Sequence, residues 1–179
     1  MEIIKVLGVD PSLRNTGLAI VSFNTEMSPS DPKAFKVSHC QTLVNPQKFT
    51  GKDAILNMLD MIHEQSQKSC YQEVDTVLVE SPAIMFNKTW SQGTISSIAH
   101  ISGGAVALLG IEKAHIFRPN EWNKSRKKDV THNSTTMFLG SADKWNYEKV
   151  PKNEKFLEHI LDATSLALWW IRSNYIEDE

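Results

Sequence analysis

Cysteine is scarce in this sequence. Cys40 and Cys70 are the two in 179 residues, and no CxxC pair occurs. That excludes a disulfide scaffold and a zinc ribbon, and it fits a reducing compartment. Long apolar runs are also missing: no stretch approaches the roughly 18 residues of a membrane helix, so no membrane partner is expected. The N-terminal MEIIKVLGVD holds two acids and one lysine and does not read as a signal peptide. Nor does one charge sign dominate, because 19 Lys+Arg face 21 Asp+Glu for a net charge of −2. A globally polybasic nucleic-acid binder is thereby excluded, and any nucleic-acid role needs a local basic patch. There is no internal repeat and no low-complexity segment. The remaining composition, 41% hydrophobic and 22% charged, supports an ordinary globular core. The length predicts one domain over residues 1–179.

Periodicity predicts the elements. The apolar, partly β-branched run Ile3–Val9 reads as a buried strand, and Gly17–Phe23 as its hairpin partner after a turn at Pro11–Gly17. Asn24–Lys33 is a loop, and Ala34–Val44 a third strand in which Phe35, Val37 and Leu43 give an interrupted alternation. A helix is predicted over Gly51–Lys68 from Ile55, Leu56, Leu59 and Ile62. Val74–Glu80 reads as a fourth strand, Trp90–Leu109 as a helix and Ala114–Phe117 as a fifth strand. Helices over Arg126–Leu139 and Lys152–Tyr175 follow. Strands first, then alternation of helix and strand, predict an α/β fold. Its sheet is mixed and five-stranded, with the first three strands antiparallel and the rest parallel, and helices cover both faces.

Two acids close apolar strands, Asp10 and Glu80. Either alone is compatible with a simple strand cap. On neighbouring strands their carboxylates lie side by side and repel, which favours a divalent cation between them. A third acid, Asp162, sits inside the apolar helix FLEHILDATSLALWW, where it is costly if buried alone. Ala163, Ser165 and Ala167 beside it are small enough for close approach to a sheet. His159 precedes Asp162 by three and shares its helix face; it reads as a metal ligand, a proton carrier or a boundary histidine. Glu158 ranks below it, because Glu154 and Glu158 resemble a solvated edge.

A basic run, KAHIFRPNEWNKSRKK, supplies the local patch. Lys124, Arg126, Lys127 and Lys128 are placed to hold backbone phosphates. Phe86 and Trp90, following Glu80, either stack on bases or pack beneath their loop. Trp122 reads as packing, and Trp169 and Trp170 as core and surface packing of the last helix.

At these residues the sequence resembles the RuvC-type Holliday junction resolvases of the RNase H-like superfamily, and its middle resembles the shorter, phage-type members. LGVDPSLRNTGLAIV is similar to their first motif, VLVESP to their second and HILDATSLALWW to their last, in order and nearly chain-wide. The resemblance implies an RNase H-like fold and a metal-dependent endodeoxyribonuclease that resolves four-way junctions by paired nicks. Asp10, Glu80, His159 and Asp162 would be catalytic and hold two Mg²⁺, with Mn²⁺ able to substitute. It implies a C2 homodimer through TISSIAHISGGAVALLG, where Gly103 and Gly104 permit close packing and Ser102 is a position to probe. Branched DNA is the implied partner, no nucleotide cofactor is needed, and the implied location is the cytoplasm of a bacterial or phage-infected cell.

Three rivals remain. An ATP-using protein of the actin and sugar-kinase group needs about twice this length. A nuclease for flaps, other branched DNA or RNA shares the same acids. A DNA-binding module with a decayed site conflicts with the intact acids.

Overall fold

The computed structural model describes residues 2–82, 92–123, 127–141, 145–147 and 154–175. The apolar opening run becomes the central strand of a five-stranded sheet. This strand, β1 (Ile3–Asp10), pairs antiparallel with β2 (Asn15–Asn24), which pairs antiparallel with β3 (Phe35–Val44). On its other side β1 pairs parallel with β4 (Thr76–Glu80), and β4 parallel with β5 (Ala114–Phe117). The order is β3-β2-β1-β4-β5, the mixed sheet that the sequence predicts.

Alternation along each strand divides the core in two. Leu7, Val9, Leu18, Ile20, Val77 and Val79 face one side, where they pack with Met58, Ile62, Ile101 and Ala105. Those partners come from α1 (Gly51–Ser66) and α3 (Gln92–Leu109). Val6, Val21, Phe23 and Leu78 face the other side and pack with Leu166, Ala167 and Ile171 of α6 (Glu154–Tyr175). Full burial of each such aliphatic chain contributes about 1.5–3 kcal/mol.

Several boundaries and one face differ from the sequence expectation. The helix predicted to reach Lys68 ends at Ser66, and a separate short helix, α2 (Ser69–Gln72), follows. Leu56, expected on the apolar side of α1, is 47% exposed. The interrupted alternation in β3 has a physical cause: pairing shifts between Ile20 and Val21, leaving Ser38 as an extra residue. A bulge of this kind reverses the faces beyond it. Phe35 and Val37 therefore lie toward α6, while Leu43 lies toward α1 and α3. An unexpected short helix, α4 (Pro119–Trp122), starts at a proline, whose fixed φ suits a first helical turn. Its Trp122 is buried in the core, as the packing reading requires. The last helix before α6 is α5 (Lys128–Leu139). No helix among the described residues is long and apolar enough to cross a membrane.

Candidate active site

β1 and β4 end together. Val9 is level with Val79 in the parallel register, so Asp10 and Glu80 come next on adjacent strands. Both are even-numbered, like Val6 and Leu78, and so emerge on the α6 face. The turn after Asp10 is tied by its own hydroxyls. Ser12 N–H donates to Thr16 Oγ1 (3.2 Å), Thr16 Oγ1 donates to Ser12 O (3.0 Å), and Asn15 N–H donates to Ser12 Oγ (3.1 Å). Arg14 of this turn donates to the carbonyls of Pro46 and Phe49, at 3.1 and 2.8 Å.

Helix α6 lies directly against this row, and two glycines make the approach possible. A Cβ on Gly8 would come within 1.9 Å of Ala163 O, and one on Gly17 within 2.0 Å of His159 O. Gly17 pairs with Asp10 across β1 and β2, so His159 is laid over Asp10. The small residues noted on the helix, Ala163 and Ala167, are buried at this contact, but the missing side chains on the strands are what permit it.

The resulting cluster is tightly paired. His159 Nδ1 lies 2.6 Å from Asp10 Oδ2. Against an ionised Asp10, Nδ1 is the donor of this bond. Glu80 is hydrogen-bonded to Asp10, and its pKa is pushed up to about 9. Burial is the main cause, followed by repulsion from Asp10 and Asp162, and Lys128 offsets part of it. Glu80 therefore holds a proton at neutral pH and donates it to Asp10.

Asp162 is 4% exposed, and both of its oxygens are engaged. Its Oδ2 accepts from the ammonium of Lys128, and its Oδ1 lies 2.8 Å from His132 Nε2. Burial alone would raise its pKa, but the hydrogen bond from His132 and the charge of Lys128 outweigh burial and lower it. The ammonium of Lys128 is held protonated: partial burial opposes its charge, and the carboxylates of Asp162 and Asp10 overcome that.

Lys128 thus reaches into the acids, whereas the sequence placed it among phosphate-holding residues. Lys127 is exposed beside it. Phe86, Trp90, Lys124 and Arg126 lie outside the described residues. Glu158 is exposed, in line with a solvated edge. His132 was missed altogether. The spacing Lys128, His132, Thr135 puts three polar residues on one helix face, and Thr135 meets Ser165 of α6 at 2.7 Å. That polar face on α5, matching the polar positions of α6, was the available signal.

The donor set suits a hard divalent cation: three carboxylates and an imidazole, gathered where burial, and then the charges of Asp10 and Asp162, hold a proton on Glu80. Among the described residues, no three acidic, histidine or cysteine side chains converge as a preformed cation cage. Their functional atoms face one another and Lys128 instead. Asp10, Glu80, Asp162 and His159 fit the group chemically, and holding it requires these hydrogen bonds to be exchanged.

Compared by sequence alone, the chain matches no family model and no curated protein. Compared by structure, it is similar to RuvC of Thermus thermophilus in complex with a Holliday junction substrate. The TM-score is 0.64 at 15% identity, covering 97% of this chain and 96% of that one. The yeast mitochondrial Holliday junction resolvase Ydc2 matches with a TM-score of 0.54 at 14% identity, over 94% of this chain and 79% of that one. The fowlpox virus resolvase, solved with Holliday junction DNA, matches with a TM-score of 0.54 at 16% identity, over 96% and 99%. At these identities the likeness is one of fold: the chain has the RNase H-like fold of the RuvC-type resolvases.

Proposed function

We propose that this protein, as one nuclease domain over residues 1–179, is a structure-selective endodeoxyribonuclease that resolves four-way DNA junctions by paired symmetric nicks. The observation that carries the reading is Asp10 paired with both His159 and Glu80, with Asp162 close by, at one end of the central strands. It occurs in a fold shared with proteins solved on Holliday junctions.

Asp10, Glu80, His159 and Asp162 would hold two Mg²⁺, with Mn²⁺ as a substitute. Bound divalent cations would stabilise charge developing on the phosphate and make water a better nucleophile at neutral pH. The chain's own groups do the rest. Asp10 fixes the imidazole through Nδ1, which leaves Nε2 of His159 as the ring nitrogen that would serve as a ligand or accept the proton from attacking water. Lys127 and its basic neighbours Lys124 and Arg126 hold backbone phosphates without reading bases. Phe86 and Trp90 are proposed to stack against bases at the branch.

Two symmetric nicks require two sites, which a C2 homodimer supplies. Helix α3 is the proposed contact, with a correction. Ser102 is buried and donates to Glu80 O (3.1 Å), and Gly104 packs on Leu59 of α1, so neither faces outward. The exposed face carries Ala99, His100, Gly103 and Ala107.

The test is cleavage of an end-labelled four-way junction beside duplex, flap and RNA–DNA hybrid, with Mg²⁺ and with chelator. Paired symmetric nicks in the junction alone are expected. Equal or faster cleavage of the hybrid would overturn the assignment.

A further inference from the structure

We propose that Lys128 is a resident counter-cation of the active site: without DNA its ammonium competes with a divalent cation for Asp162, and a DNA phosphate draws it away. The inference rests on the metal-dependent reading above, and it concerns how that site is loaded.

The two partners of Asp162 differ in kind. His132 is 12% exposed, so its ring is fixed between α5 and α6 and keeps its bond to Oδ1. Lys128 is 66% exposed along its side chain. It is the first residue of α5 and reaches Asp162 through four flexible carbons, with Lys127 exposed beside it. His132 therefore positions the carboxylate, while Lys128 only neutralises it. A monovalent ammonium and a divalent cation cannot share Oδ2 without strong repulsion in so sheltered a place. Leaving Asp162 bare would be costly as well, since the carboxylate is almost wholly buried. Either cation satisfies it, and the two exclude each other.

DNA changes this competition. A backbone phosphate beside α5 offers the ammonium an equivalent anion within the reach of its side chain. Lys128 then moves from carboxylate to phosphate and frees Oδ2. Binding of DNA and binding of cation are thereby coupled, and the coupling is reciprocal. The physical consequence is a site poorly loaded until substrate arrives, which restrains cleavage in the absence of a junction.

Mn²⁺ titrated calorimetrically into DNA-free protein tests this without any activity readout. Lys128→Met should bind Mn²⁺ about tenfold more tightly than wild type, a difference of about 1.4 kcal/mol. Lys52→Met, which removes one charge from the exposed first turn of α1, should bind like wild type. Lys128→Gln serves as a second neutral variant if Lys128→Met fails to fold by circular dichroism, and Lys128→Arg should keep the weaker, wild-type affinity. Equal or weaker Mn²⁺ binding by a folded neutral variant, with clear binding by wild type, overturns this inference alone. No binding by any variant overturns the metal-dependent reading and this inference together.

Discussion

The α-carbon of Gly17 lies directly beneath the backbone carbonyl of His159, so close that a methyl group there would sit 2.0 Å from the oxygen. Gly17 is also the cross-strand partner of Asp10. One absent side chain therefore sets the height at which α6 rests over the acids. Gly17→Ala should lift the helix, lowering stability by about 3 kcal/mol, the upper end for overpacking, and abolishing cleavage. Gly103→Ala, where a methyl group meets nothing, should leave thermal stability within about 1 kcal/mol of wild type. Denaturant melts of the two variants would decide the matter. A Gly17→Ala protein as stable and active as wild type would refute the seating role.

Asp10→Asn should abolish cleavage while junction binding changes little, because affinity comes mainly from phosphate contacts. Gel shift and cleavage on the same labelled junction separate the two. Loss of both in a folded variant contradicts that division.

Glu80 gives a stability signature in chelator. Its folded pKa of about 9 lies above the ordinary 4.5. Its favourable contribution is therefore complete below pH 4.5 and is lost as pH rises through 9. Glu80→Gln keeps the shape and the donated hydrogen bond without a titrating proton. The metal-free variant should melt several degrees above wild type at pH 8, where about 1 kcal/mol moves the midpoint by roughly 2–4 °C. The gap should close toward pH 5. A gap that widens on acidification would show that Glu80 is not held protonated.

His159→Ala removes both the ligand and the proton acceptor and should slow cleavage by about 100-fold or more. His159→Asp restores a ligand one helical turn from Asp162 and should recover most of the rate. Cleavage by His159→Ala at the wild-type rate would make the residue a bystander and turn attention to Glu158.

For the dimer, light scattering at micromolar concentration should give twice the chain mass, and Gly103→Arg should halve it. A monomeric wild type would refute the paired-nick geometry.

How much of this was legible in the residues depends on the range of the interaction that fixes each feature. Strand and helix identities follow from local alternation, so β1, β4 and α6 were readable, and Asp10 and Glu80 could be placed at strand ends. His159 and Asp162 share a face because a helix turns every 3.6 residues. These are short-range facts, and the sequence by itself determined them. Tertiary structure decided the rest. The bulge at Ser38 arises only from pairing with β2, so no local pattern announces that Leu43 faces away from Val37. Gly8 and Gly17 look like ordinary strand residues until α6 lies on them. Lys128 read as one cation in a solvated run, and the polar face it shares with His132 and Thr135 on α5 does not by itself say what it meets. Both acquire a role because the packing of α5 on α6 brings them, 34 and 30 residues away in sequence, onto the two oxygens of Asp162. A buried carboxylate takes whichever donors the fold delivers to it, and that delivery is a property of the packed chain.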